Sequence, residues 1–258
     1  MTAPPTHESA IDKPAIEFDH ASFRLNGRLL LQDLVLSVKQ GETLVLLGRS
    51  GSGKTTTLKL INRLLLPTAG EVRVHGRPTA EWDPIQLRRS IGYVIQDGGL
   101  FPHFTVERNI ALVPRIENWP RAQIATRVQE LLAIVGLDAA LASRYPSELS
   151  GGQRQRVGVA RALAADPPIL ILDEAFGALD PITRSQIQKE FRALQQKVRK
   201  AVIFVTHDLR EALLLADRIA LMEEGRLIVD LPATEFSRSG VPLVRAYVEA
   251  FSRLPDPE

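Results

Sequence analysis

The chain of 258 residues contains no cysteine. Disulfides and thiolate metal sites are therefore excluded, and a reducing compartment is permitted without being required. It also lacks an excess of either charge: 32 basic residues face 30 acidic ones, for a net charge of +2. That balance argues against nucleic acid or an anionic membrane surface as a partner. No uninterrupted apolar run approaches the ~20 residues of a membrane-spanning helix. Glu8 and Asp12 stand where a leader would be basic and then apolar, so no secretory signal is expected. Internal repeats and low-complexity segments are missing as well. What remains is 45% apolar and 24% charged, the composition of a soluble globular protein with one large domain or two small ones.

Against this plain background one segment stands out. Leu44 to Leu47 reads as a buried strand and runs into Gly48-Arg49-Ser50-Gly51-Ser52-Gly53-Lys54-Thr55. This fits the phosphate-loop pattern G-x-x-x-x-G-K-[ST], which arises by accident in roughly one chain in a hundred of this size. Its glycines let main-chain N–H groups approach phosphate oxygens, and the helix that follows favours an anion at its start. Lys54 is placed to reach the β- and γ-phosphates of a nucleotide, and the Thr55 hydroxyl to hold Mg²⁺.

Short apolar runs and helical patterns alternate along the rest of the chain. Val35 to Val38, Glu71 to Val74, Ile91 to Ile95, Ile169 to Leu172, Val202 to Val205 and Ile219 to Met222 read as strands. Lys54 to Leu66, Arg121 to Val135, Val157 to Ala164, Ile187 to Val198 and Leu209 to Leu215 read as helices. The fold class is α/β with a mostly parallel sheet. The stretch after Gln96 carries helical pattern and no clear strand, which predicts a helical subdomain over about 97–160. Residues 1–14, with three prolines and little apolar surface, read as a flexible tail. In open α/β sheets the ligand sits beyond the carboxyl ends of the strands. Four strands end there in polar or glycine-rich residues: Gly48, Gln96, Asp173 and Thr206-His207.

Asp173 and Glu174 close the apolar run Ile169 to Leu172. Strand alternation would turn them to opposite faces, so they are expected to differ in role. Asp173 is assigned to Mg²⁺ and Glu174 to the attacking water. Ser150-Gly151-Gly152-Gln153 has capping-box spacing and predicts a helix start with glycines, an anion site in waiting. Asp208, with Glu211 three residues on, reads as another helix cap. Asp180 before Pro181 reads as a turn and helix start.

The phosphate loop followed by Leu149-Ser150-Gly151-Gly152-Gln153 resembles the ATPase cassette of ABC transporters, and the resemblance covers about Ile16 to Gly225. It implies a P-loop NTPase fold over 15–240, in which an antiparallel β subdomain and the helical subdomain flank the parallel core. It also implies a short C-terminal helical extension over 241–258, without room for a CBS pair. By resemblance, Ser150 to Gln153 act on the nucleotide of a second copy in an ATP-sandwich homodimer, and Ala178-Leu179-Asp180 link the two sites. Gln96 then touches Mg²⁺ and water, and His207 the γ-phosphate. Thr56 completes the nucleotide-contacting set. Adenine stacks on an aromatic ahead of the loop; Phe23 is the nearest candidate, and Leu25 fits the register nearly as well. Arg49 stands where many members have proline.

Lys54-Thr55-Thr56-Thr57 with Ile61-Asn62-Arg63-Leu64, Tyr93 to Gln96, Gly99 to His103 and Asn109 to Pro114 is similar to the osmoprotectant, or quaternary-amine, importers. That resemblance implies ATP hydrolysis coupled to uptake of glycine betaine, choline or a similar compound. The implied cofactors are ATP and Mg²⁺. The implied partners are transmembrane permease subunits and a separate substrate-binding protein, with no nucleic acid. The implied location is the cytoplasmic face of the inner or plasma membrane, and the membrane part belongs to another chain. The alternatives are an ABC ATPase for another solute or lipid and a non-transport ABC ATPase. A single cassette without a long coiled-coil insertion, at near-neutral charge, speaks against the non-transport reading.

Overall fold

Two sheets of different construction divide the chain. The structure, a computed structural model, describes residues 14–177 and 179–252, apart from the side chains of Gln96, Asp97 and Ser252. The expected N-terminal tail, except for Pro14, lies outside the described residues, as do Ala178 and the chain beyond 252.

The first sheet is antiparallel. It joins β1 (Ile16–Leu25), β2 (Arg28–Val38), β4 (Ala69–Val74) and β5 (Arg77–Pro78) in the order β2-β1-β4-β5. The hairpin of β1 and β2 turns through Asn26 and Gly27, both at positive φ. The second sheet has six strands in the order β10-β9-β3-β8-β7-β6. They are β3 (Thr43–Leu47), β6 (Ile91–Val94), β7 (Ile169–Asp173), β8 (Ala201–Thr206), β9 (Arg218–Glu223) and β10 (Arg226–Pro232). All pairs are parallel except the edge pair β9 and β10.

The period of two in the central strands sorts the core into two layers. Leu44, Leu46, Ile169, Ile171, Ile203 and Val205 face the antiparallel sheet together with helix α1 (Lys54–Ile61) and Leu87 of α2 (Pro84–Arg89). Their neighbours Val45, Leu47, Leu170, Leu172, Val202 and Phe204 face a layer of helices. Burial on both faces explains why these strands are continuous apolar runs rather than alternating ones. Near ~25 cal/mol per Å² of apolar area buried, this double burial is the main stabilising term.

The helical layer comprises α3 (Val106–Ile110), α4 (Leu112–Ile116), α5 (Arg121–Ile134), α6 (Gly151–Leu163), α7 (Pro181–Val198) and α8 (Leu209–Leu215). No strand interrupts 97–149 among the described residues, in line with the sequence pattern. Arg161 of α6 donates to the carbonyls of Gly98 and Gly99 at 2.8 Å each, which ties the turn after β6 to this layer. Two short elements close the described residues: α9 (Ala233–Phe236) and α10 (Pro242–Ser252). Val244 of α10 is fully buried, and Leu243, Tyr247 and Phe251 pack on the same cluster.

Helix α1 stops at Ile61, short of the expected Leu66. Arg63 takes a left-handed φ of 54°, the Asn62 carboxamide accepts the Leu64 N–H at 3.1 Å, and the Leu64 and Leu65 N–H groups both bond back to Lys59 O. These local bonds satisfy the last turn and outcompete a further helical repeat. Conversely, α7 begins six residues before the expected Ile187, because Asp180 caps it and Pro181 fits its first turn.

Candidate functional site

Parallel pairing brings four strand ends to one edge. Leu47 of β3 pairs with Thr206 of β8, Val205 of β8 with Asp173 of β7, and Leu172 of β7 with Val94 of β6. The residues that follow therefore share one rim: Gly48, His207, Glu174 and, two positions past β6, Gln96. The side chain of Gln96 lies outside the described residues, and its main chain opens a 3-10 turn over Gln96–Gly99.

The loop from Gly48 to Thr55 is shaped by its glycines. A Cβ on Gly48 would fall 2.4 Å from the Met222 carbonyl oxygen, and Gly53 holds φ 104° with its α-carbon against the β1–β2 hairpin. Among the described residues no side chain caps α1, whose N-cap is Gly53. Its first-turn N–H groups are free to point at an anion. Lys54 is 5% exposed, and its ammonium is folded back onto the carbonyls of Gly48 and Arg49 at 2.7 and 2.9 Å. Burial pulls its pKa down, against the opposing pull of Glu174 and Asp173. Among the described residues the buried Ser52 hydroxyl has no hydrogen-bond partner. A loop with an uncapped helix start, a buried ammonium and an orphaned hydroxyl is built to receive phosphate oxygens. Thr55 lies exposed beside it, and Thr56 is half-buried.

Asp173 ends β7 and accepts a hydrogen bond from the Tyr93 hydroxyl at 3.2 Å. Burial pushes the Asp173 carboxyl up, and burial beside that carboxylate pushes the Tyr93 phenol up. Among the described residues no three His, Asp or Glu side chains group as a protein-only metal site. A carboxylate from Asp173 and the Thr55 hydroxyl, with phosphates and water completing the shell, are the oxygen donors that Mg²⁺ accepts.

The expected alternation of Asp173 and Glu174 does not apply, because Glu174 has left the strand. Its φ is 47°, and its N–H bonds to Val205 O at 3.1 Å. A left-handed turn, which costs a non-glycine residue about 1 kcal/mol or more, aims the carboxylate along the rim instead of across the sheet. Glu174 Oε1 lies 3.7 Å from Nδ1 of His207. Glu174, His207, Arg49 and Ser50 form one wall of an open cleft, and α10 forms the other.

Ser150 to Gln153 occupy the start of α6. Ser150 Oγ accepts the Gln153 N–H at 3.2 Å, and the Gln153 carboxamide accepts the Ser150 N–H at 2.9 Å, completing the capping box. Gly152 sits where a Cβ would be 2.7 Å from Thr183 of α7, and Gly151 where it would be 3.5 Å from Leu179. This helix start therefore groups with Asp180, whose carboxylate accepts the Thr183 N–H at 3.0 Å.

Phe23 does not present a ring to the site. It is 6% exposed and belongs to the core between the antiparallel sheet and the central sheet, whereas Leu25 is 50% exposed at the hairpin end. The two share a strand face, being two residues apart, so what separates them is that the sheet's cover ends before the hairpin.

Sequence reasoning missed three features. Tyr93 was legible only as part of a longer match, and nothing in a lone tyrosine signals its partner. Glu211 was read as a cap residue, yet it is buried and accepts from Gln188 of α7 at 2.8 Å. The contribution of α10 to the cleft had no local signal at all.

The sequence profile of the family described as ABC transporter matches residues 31–177. The chain is 50% identical, over 78% of its length and 53% of the relative's, to the choline transport ATP-binding protein of Bacillus subtilis (strain 168). It is 47% identical, over 90% of its length and 76% of the relative's, to the glycine betaine uptake system ATP-binding protein of Escherichia coli (strain K12). The chain spans about half the length of the first curated relatives it matches. A solved dimer of an ATP-binding cassette, in a post-hydrolysis state bound to ADP and Pi, superposes with a TM-score of 0.74 at 32% identity, over 84% of this chain and 98% of that one.

Proposed function

The chain belongs to the ABC transporter family, and from that premise we propose that it hydrolyses ATP to energise an importer of osmoprotectant quaternary amines such as glycine betaine or choline. The observation that carries the chemistry is the single rim holding the phosphate loop, Asp173, Glu174 and His207. The substrate class rests on the choline and glycine betaine relatives, because a transported solute need not touch this chain.

In this reading the uncapped start of α1 and Lys54 hold the β- and γ-phosphates. Lys54 exchanges its two carbonyl partners for phosphate oxygens, and developing negative charge meets a buried cation where it counts most. Thr55 and Asp173, with Gln96, hold the Mg²⁺, which neutralises phosphate charge when bound. Tyr93 keeps the Asp173 carboxylate oriented. Glu174 orients the attacking water and accepts its proton, and His207 contacts the γ-phosphate beside it. Leu25 takes the place of the base-covering residue.

Ser150 to Gln153 complete the site of a second copy in an ATP-sandwich homodimer, supported by the dimeric cassette structure. Among the described residues no helix is long and apolar enough to cross a membrane. In this reading, permease subunits and a substrate-binding protein are separate partners, as the choline and glycine betaine transport relatives suggest, and the chain works at the cytoplasmic face of the membrane. The helical region joined to the rim through Gln96 docks the permease, so ATP closure is transmitted along that turn.

The test is uptake. A strain lacking other routes should lose ATP-dependent accumulation of labelled glycine betaine, choline or carnitine when this gene is deleted. Undiminished uptake of all three, with loss of another solute class, refutes the substrate class and leaves the ATPase reading standing.

A further inference from the structure

The turn that opens at Gln96 sits flush against α6. A Cβ on Gly98 would fall 2.8 Å from the Arg154 carbonyl oxygen, and one on Gly158 would fall 2.9 Å from Cα of Gly98. Main chain therefore lies on main chain. Arg161, one turn further along α6, closes the contact. Its guanidinium donates through Nη2 to Gly98 O and through Nη1 to Gly99 O, both at 2.8 Å. The same group lies over the Phe101 ring, 5.9 Å from its centre and within cation–π reach. Residues 154, 158 and 161 are four and three apart, so they form one stripe of the helix along the turn.

Arg161 forks two successive carbonyls with charge-assisted bonds, which are about twice as strong as neutral ones. Burial draws its pKa down, so this cation is held at a desolvation cost that the two bonds offset. The chain just beyond the turn is anchored separately. The buried Asn109 carboxamide accepts the Phe101 N–H at 2.8 Å and donates to the carbonyls of Phe101, Phe104 and Thr105 at 3.1 to 3.2 Å. Asn109 thus fixes Phe101 onward, and Arg161 fixes the turn between Phe101 and the rim.

We propose that Arg161 is a positioning residue for Gln96: by clamping the turn to α6 it sets where Gln96 stands on the rim. The inference rests on the role proposed for Gln96 at the Mg²⁺ and the attacking water. Its physical basis is that a functional group on a loop is only as well placed as the contacts that support the loop.

Steady-state ATP hydrolysis with Mg²⁺ by the purified chain tests this in four proteins: wild type, Arg161→Met, Gln96→Ala and the double variant. Methionine keeps an unbranched side chain and removes every donor. Arg161→Met should lower kcat about tenfold and leave KM for ATP within about twofold, because the phosphate loop is untouched. In the Gln96→Ala background the same change should have no further effect. Hydrogen exchange supplies a readout independent of turnover. The Gly98 N–H, bonded to Ile95 O at 3.1 Å, should exchange roughly tenfold faster in Arg161→Met, while the Phe101 N–H held by Asn109 keeps its wild-type rate. Unchanged kcat in Arg161→Met, a loss that falls on KM, or losses that multiply in the double variant overturn the proposal. Exchange quickened equally at both amides also overturns it, because that marks general loosening. Should Arg161→Met not fold, Arg161→Lys carries the test: it keeps the charge without the planar fork, and its kcat should lie between wild type and Gln96→Ala. A wild-type kcat in that variant is again a refutation. A Gln96→Ala chain with undiminished kcat is a different result: it refutes the role of Gln96, and the proposal with it.

Discussion

Replacing Gly53 with alanine separates the loop's function from the stability of the fold. Gly53 holds φ at 104°, outside the left-handed region that other residues tolerate, and an added Cβ would lie 3.1 Å from Leu30 O and 3.4 Å from Cα of Gly225. A side chain held at such a φ costs about 1–3 kcal/mol. Alanine restricts the unfolded chain more than glycine does, which offsets about 0.4–1 kcal/mol of that. The net loss is about 1–2 kcal/mol, or a fall in Tm of roughly 2–8 °C for a chain of this size. The variant should therefore remain folded at 25 °C. Its loop must still pull away from the hairpin to relieve the contact, and the N–H groups at the start of α1 move with it. ATP with Mg²⁺ at about a hundred times its Kd should stabilise the wild type by ~2.7 kcal/mol, raising Tm by roughly 5–10 °C. Gly53→Ala should show almost none of that increase. Thermal melts with and without nucleotide read both numbers in one experiment. A variant that melts within a degree of wild type and keeps the full ligand shift would show that neither the φ nor the contact constrains this loop.

Three further outcomes are expected. Glu174→Gln keeps the size of the side chain and loses its basicity, so sizing with ATP and Mg²⁺ should show a persistent dimer with hydrolysis suppressed by at least a hundredfold; normal turnover by a monomeric variant would remove Glu174 from the chemistry. Mixing Ser150→Arg chains with Lys54→Ala chains places both lesions in one composite site of a dimer and should restore part of the activity absent from either alone, whereas demonstrated mixed dimers without recovery would rule out a site shared in trans. Glu211 is buried against Gln188, and burial raises its carboxyl above the ordinary 4.5. Its folded state therefore holds a proton more tightly than the unfolded state, and its stabilising contribution is present at low pH and lost as pH rises through the folded pKa. The Tm of Glu211→Gln relative to wild type should accordingly rise between about pH 4 and neutrality, and a difference independent of pH would contradict the burial of this carboxyl.

Much of this architecture is written in short-range pattern. Gly48 to Thr55, the apolar runs that become β3, β7 and β8, and the caps at Ser150, Asp180 and Asp208 all follow from spacing and residue type, because each is satisfied within a few residues of itself. The shared rim was also legible, since parallel strands present their carboxyl ends on one side. Three things were decided only by tertiary structure. Glu174 leaves the strand in a left-handed turn, held by the Val205 carbonyl of the neighbouring strand, so alternation misplaces its carboxylate. Phe23 is a core residue and Leu25 is not, because cover by the second sheet ends at the hairpin. Tyr247 lines the same cleft as Arg49, nearly two hundred residues away along the chain, because the buried Val244 anchors α10 on the core beside the loop. Local sequence determines which hydrogen bonds and faces a segment can satisfy alone; contacts between distant segments depend on how the whole core closes, and no local pattern encodes that.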